Sequence, residues 1–193
     1  LLILLAAAFD SRLRVVTYEV PTEKLTEGLR LAVLTDLHSC AYGEGQRELL
    51  DAVEAQAPDA VMLAGDIVDD VLPQENAWTV VSALAERMPC FYVTGNHEWW
   101  SGEAERICEE MESLGVTVLR GESELLSLPG GSVQICGIDD PDSGESGDQL
   151  ARAGSLIQED AFTILLAHRP EEIQAYLRYS FDLILSGHAH GGQ

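Results

Sequence analysis

Basic residues are scarce in this chain. Its 193 residues hold 11 Lys plus Arg against 33 Asp plus Glu, a formal charge of -22. Such a field repels phosphate backbones and anionic lipid head groups, so nucleic acid is excluded as a partner and so is a nuclease working in a basic groove. Cysteines are few as well. Cys40, Cys90, Cys108 and Cys136 make no CxxC pair, which excludes a zinc knuckle. All four read as structural; Cys90 and Cys136 sit in apolar runs, where a free thiol behaves as a small hydrophobe, and Cys40 alone stands near a histidine, His38. Long apolar runs are missing too. The amino-terminal stretch Leu1–Phe9 has nine residues, whereas a helix needs about 20 to span a bilayer. It reads either as the tail of a membrane anchor or signal segment, in which case, for an anchor, Arg12 and Arg14 would place the domain on the cytoplasmic side, or as an apolar element packed on the domain.

What is present is enough apolar residue, 46%, for one sizeable core and a single domain. The chain is expected to divide into a lead with a first strand, residues 1–20, and one domain, residues 21–193. Strands are expected over Arg14–Val20 and Leu29–Leu34. Helices are expected over Gln46–Gln56, Pro73–Met88 and Glu103–Leu114, from apolar spacing and from the prolines and glycine that bound them. Val116–Leu119, Glu124–Leu128 and Ser132–Ile138 read as a small β insert, its last two strands joined as a hairpin through Pro129-Gly130-Gly131. After a polar loop, Pro141–Gly147, and a short helix near Gln149–Gly154, alternation resumes with strand 162–167, helix 170–178 and strand 181–186. The pattern argues for a layered α/β domain with a mixed sheet.

Apolar runs that read as buried strands end repeatedly in metal-ligand side chains. Leu31–Leu34 leads to Asp36-Leu37-His38, Val61–Ala64 to Gly65-Asp66, and Phe91–Val93 to Gly95-Asn96-His97-Glu98. Thr163–Ala167 leads to His168, and Leu183–Ser186 to Gly187-His188-Ala189-His190. Such ends point into the crevice at the carboxyl edge of an α/β sheet, where ligands bind. Imidazoles, carboxylates and an amide in this number exceed the four ligands of a tetrahedral zinc, so two metals fit better. Nitrogen and oxygen donors without thiolate suit manganese, iron or zinc. Two such ions generate a hydroxide nucleophile and hold the oxygens of an in-line displacement at phosphorus.

These motifs, in this order, resemble the calcineurin-like metallophosphoesterases. The family pattern of DxH, GDxxD, GNH[DE], a lone His and GHxH is matched by Asp36-Leu37-His38, Gly65-Asp66-Ile67-Val68-Asp69, Gly95-Asn96-His97-Glu98, His168 and Gly187-His188-Ala189-His190. The Gly-Asn-His-Glu-Trp-Trp and Gly-His-Ala-His-Gly-Gly-Gln stretches look closest to a small bacterial branch that carries a membrane anchor or export signal. The resemblance implies an α/β/β/α sandwich with mixed sheets, whose further strands would lie beyond Gln193, and a membrane-associated or exported protein. It implies that Asp36, His38 and His190 hold one metal, that Asn96, His168 and His188 hold a second, and that Asp66 bridges them. His97 would neutralise a phosphate oxygen or protonate the leaving group, with Asp69 orienting it.

Two departures bear on substrate. Family phosphoprotein phosphatases carry an arginine directly after GDxxD, where this chain has Asp70, which argues against a protein substrate. Arg169 is the nearest candidate cation, with a surface salt bridge as its simplest role. Trp99 and Trp100 read either as cleft-lining or as packing residues, and Glu98 as a helix-start acid, a partner of a ligand or a catalytic group. The expected activity is hydrolysis of phosphodiesters, or less readily monoesters, of a small phosphorylated molecule such as a nucleotide, a sugar-nucleotide or a lipid head group. A fold retained as a binding scaffold is the alternative; the filled ligand set favours the enzyme.

Overall fold

The computed structural model describes residues 13–128 and 130–190. Leu1–Phe9 and Arg12, Pro129 of the expected hairpin, and Gln193 lie outside them. Four layers are formed by two four-stranded sheets stacked face to face, with helices on both outer faces. The first sheet is β1 (Leu31–Leu34), β2 (Ala60–Ala64), β3 (Cys90–Val93) and β4 (Thr117–Val118) in sequence order, all parallel. The second is β5 (Ser123–Leu128), β6 (Gly131–Gly137), β7 (Phe162–Leu166) and β8 (Leu183–Leu185), with β5 antiparallel to β6 and the rest parallel.

The layering follows from period-two alternation in strands that are apolar on both faces. On β2, Val61 and Leu63 join the core under the first helices, whereas Ala60 and Met62 face the other sheet. Cys90 and Tyr92 of β3 divide from Phe91 and Val93 in the same way. Val133, Ile135, Phe162, Ile164 and Leu166 close the inter-sheet core from the other side. Outside the first sheet lie α1 (Arg47–Glu54), α2 (Glu75–Ala85) and α4 (Ala104–Ser113). Their buried stripes, such as Ala77, Val80, Val81 and Leu84 on α2, keep the i, i+3, i+4, i+7 spacing of one helix face. Leu150 and Ala153 of α5 (Ser146–Ser155) and Tyr176 of α6 (Ile173–Tyr176) cover the second sheet. The short α3 (Asn96–Trp100) sits over the carboxyl end of β3.

Two expectations are corrected. The three strands expected as a small insert are divided between the sheets: β4 is the edge of the first sheet, paired with β3, and β5 and β6 are half of the second, where β6 pairs with β7 over Val133–Gly137 and Gln134, at 1% exposure, spans to Ser123 Oγ and the Leu156 carbonyl. Arg14–Val20, expected as a strand, is exposed and joins neither sheet among the described residues. Its alternation of Val16, Tyr18 and Val20 with polar residues imitates a strand, but strand identity needs a partner ladder that local pattern does not supply. Cys90, Cys108 and Cys136 are buried and Cys40 is exposed, all as free thiols. Burial pushes the thiols of Cys90 and Cys108 up to about 12 and that of Cys136 up to about 11, as in unreactive packing residues.

Candidate metal centre

Five of the site residues follow strands whose ends are bent out of regular geometry. Asp36, His38, Asp66, His188 and His190 have φ of 52°, 47°, 52°, 64° and 43°, the left-handed region that non-glycine residues adopt at a cost and that recurs at functional sites. Backbone bonds hold these ends together. Asp36 N–H donates to the Gly65 carbonyl at 3.1 Å and His38 N–H to the Asp66 carbonyl at 2.9 Å. Across the two sheets, His188 N–H donates to Asp36 Oδ1 at 2.9 Å; within the second sheet, Gly187 N–H after β8 donates to the His168 carbonyl after β7 at 3.1 Å. Two glycines make the approach close enough. A Cβ on Gly95 would overlap Asp66 Oδ1, and one on Gly187 would overlap Thr35 Oγ1.

The donor atoms gather in two neighbouring groups. Asp36, His38 and His190 offer atoms within 4.8 Å of one another, as do Asp66, His168 and His188. Asp66 also groups with His38 and His97, so its carboxylate stands between the two. His38 and His190 stack at 5.1 Å with their Nε2 atoms 3.3 Å apart, an arrangement that needs a proton or a cation between two lone pairs. The His168 Nδ1–H donates to the Ala64 carbonyl at 2.8 Å, which turns Nε2 to Asp66 Oδ2 at 3.1 Å. Burial disfavours a charged His168 ring, yet the hydrogen bond and charge of Asp66 outweigh it and its pKa is raised. Asp66 is likewise lowered: burial works against ionisation, and the His168 hydrogen bond and charge prevail. Asp66 Oδ2 and His168 Nε2 thus face each other at 3.1 Å, as two ligands of one cation would.

Asn96 gives the sharpest test of fit. It is 1% exposed, and neither its amide oxygen nor its nitrogen has a hydrogen-bond partner, which costs about 1–3 kcal/mol for a buried polar group. A cation beside His168 and Asp66 would satisfy the oxygen. The residues present therefore fit two divalent ions held by oxygen and nitrogen.

Glu98 has a supporting task that the sequence left open. Fully buried, it accepts the N–H groups of Ile67 and Val68 at one oxygen and of Asp66 and Gly95 at the other, at 2.7–3.0 Å. The loop carrying Asp66 is thereby tied to the start of α3. Burial and the nearby Asp66 charge raise the Glu98 pKa, and the amide donors oppose them.

Around His97 two carboxylates lie near one ring nitrogen. Its Nδ1 lies 2.7 Å from Asp70 Oδ1 and 3.5 Å from Asp69 Oδ2, so Asp70 is the nearer orienting carboxylate, where Asp69 was expected. Asp69 Oδ1 is committed to the amides of Val71 and Leu72, and its Oδ2 lies 3.3 Å from His38 Nδ1. The adjacent acids of Ile67-Val68-Asp69-Asp70 were visible, but which one turns to His97 is set by that turn. Trp100 packs on His97 with ring centroids 4.9 Å apart and donates to Asp142 at 2.8 Å; Trp99 donates to Thr94 at 2.9 Å. Arg169 is no plain surface pair. It forks onto buried Asp140 at 2.7 and 3.2 Å and reaches His188 Nε2 at 3.1 Å.

The family model of the calcineurin-like phosphoesterases matches residues 29–192. This chain belongs to that family. Relatives include an uncharacterized metallophosphoesterase of Helicobacter pylori, 31% identical over 178 residues that cover 89% of this chain and 47% of the relative. A transmembrane protein with metallophosphoesterase domain from Danio rerio is 29% identical, covering 93% of this chain and 45% of that protein. The chain thus spans about half the length of these curated relatives. Among solved structures, the phosphopantetheinyl hydrolase of Mycobacterium tuberculosis superposes with a TM-score of 0.59 at 14% identity, covering 83% of each chain, a likeness of fold. Among the described residues no helix is long and apolar enough to cross a membrane.

Proposed function

We propose that the protein is a phosphoesterase dependent on two divalent transition-metal ions, manganese, iron or zinc. Asp36, His38 and His190 hold one, Asn96, His168 and His188 the other, and Asp66 both. The observation that carries the reading is Asp66, whose carboxylate belongs with His168 and His188 on one side and with His38 on the other; the buried amide of Asn96, next in sequence to His97, whose N–H donates to Asp66 Oδ1, has no protein partner. When bound, such ions supply a nucleophile from water at neutral pH and stabilise charge on the phosphoryl oxygens.

The chain's own groups do the rest. Asp70 accepts the Nδ1–H of His97, which leaves Nε2 as the atom that delivers a proton to the departing oxygen. Asp69 restrains His38 from behind, and Trp100 keeps the His97 ring in place. The substrate is a small phosphate ester: a nucleotide, a sugar-nucleotide or a lipid head group. Diesters are favoured over monoesters, because Asp69, Asp70 and the chain's charge of -22 oppose a second negative charge on the phosphate. Placement in the small bacterial branch, and membrane association or export through Leu1–Phe9, go with the same reading; fractionation of full-length protein tests them.

Metal analysis paired with assays on a phosphodiester and a phosphomonoester, with and without chelator, tests the core of it. Two ions per chain and chelator-sensitive turnover are expected. One ion or none under manganese-replete conditions would refute the dinuclear centre, and two ions with no turnover on either ester would move the protein to the scaffold alternative.

A further inference from the structure

Arg169 turns one end of its guanidinium to a metal-ligand candidate, His188. Its Nε and Nη2 fork onto Asp140 at 2.7 and 3.2 Å, and Nη2 also reaches Asp142 at 3.4 Å. Asp140 is fully buried and Arg169 is 16% exposed, so the guanidinium is fixed in plane and position by a bidentate pair. Its remaining end, Nη1, lies 3.1 Å from His188 Nε2 and 3.5 Å from Glu171 Oε1.

His188 can accept that N–H only while Nε2 is unprotonated, with the ring hydrogen on Nδ1. Ligation of a cation ends this arrangement whichever nitrogen is used. Bound through Nε2, the ring's lone pair is engaged. Bound through Nδ1, the ring carries its hydrogen on Nε2, and two donors face each other. Nη1 then loses its ring acceptor while the guanidinium stays anchored. Glu171, 51% exposed, is a distant and solvated substitute.

Resting on the dinuclear reading above, we propose that Arg169 is the phosphate-recognition residue of this site. Its Nη1 donates to a non-bridging oxygen of the phosphate ester and is released for that by metal binding at His188. The guanidinium is planar, always charged and matched to phosphate oxygens, and Asp140 orders it in advance, so little side-chain entropy is lost on binding.

The test is calorimetric titration of inorganic phosphate into manganese-loaded protein, with metal content measured on each sample. Removing Arg169 alone would strand the buried Asp140 charge, so the main variant is Arg169→Gln with Asp140→Asn; Arg169→Lys is the second, keeping a charge on Asp140 but losing the fork. A charge-assisted hydrogen bond of this kind corresponds to about 10- to 100-fold in affinity. The double variant should weaken phosphate by that factor at unchanged metal content, with KM raised more than kcat is lowered; Arg169→Lys should fall between it and wild type. Asp140→Asn alone, which keeps the guanidinium, should retain most of the affinity. Phosphate binding by the double variant, or by Arg169→Lys should the double variant not fold, equal to wild type at equal metal content would overturn the proposal alone. Wild-type protein that holds no metal would overturn the dinuclear centre and this proposal together.

Discussion

Asp70→Ala removes the carboxylate nearest His97 and leaves the metal ligands untouched. The pair is short, 2.7 Å between His97 Nδ1 and Asp70 Oδ1, and each side chain is 25% exposed. A hydrogen bond involving a charged group contributes about 1.5–3 kcal/mol, and partial solvation reduces this one to about 1–2 kcal/mol. If Asp70 holds the tautomer and orientation of His97, that loss appears in turnover as about 5- to 30-fold. His97→Ala should cost more, about 100- to 10,000-fold, the share of a general acid. The two should be non-additive, because without the imidazole Asp70 has nothing to orient. Asp69→Ala should act differently, loosening the loop through the lost Val71 and Leu72 contacts and the first metal position through His38. The assay is turnover on an alkyl and on a nitrophenyl phosphodiester, with metal content measured on each variant. The alkyl ester should suffer more, since nitrophenolate leaves without a proton. Wild-type turnover by Asp70→Ala on the alkyl ester, with His97→Ala impaired, would refute the orienting role; full additivity would do the same.

Asp66→Asn should abolish retention of both ions and turnover, read by metal analysis, while the thermal melt stays cooperative. Gly95→Ala would place a Cβ 2.5 Å from the Asp66 backbone nitrogen and against its carboxylate; a cost of about 1–3 kcal/mol by denaturant melt and weakened metal binding are expected, and unchanged metal content would show that the loop has room. Glu98→Gln puts an NH2 donor where two amide donors already point, so a loss of about 1–3 kcal/mol in the same melt is expected. Met62→Ala, at 0% exposure between the sheets, should cost about 2–5 kcal/mol without changing the ions bound per folded chain.

The candidate donors were legible because strand ends carry their chemistry in local order. An apolar run of strand length followed by Asp-x-His, Gly-Asp or Gly-Asn-His states both the element and the group at its tip, and the required glycines stand beside them. Helix positions were legible for the same reason: the buried residues of α2 and α4 repeat at helical spacing. Long-range pairing was not. His38 and His190 meet across 152 residues, as do Asp36 and the amide of His188. A local pattern shows that each is a ligand type and says nothing of the distance between them.

Tertiary structure alone decided the rest. Whether β5 and β6 form an insert or half a sheet depends on whether β6 finds β7, a pairing that alternation does not encode. Arg14–Val20 has a strand's pattern but joins neither sheet among the described residues. Asp69 and Asp70 are adjacent carboxylates with the same chemistry, and the turn that spends one on two amides leaves the other for His97. Arg169 follows a histidine in sequence, but its direction was set by Asp140, 29 residues away, because a guanidinium turns to the buried charge that most needs it.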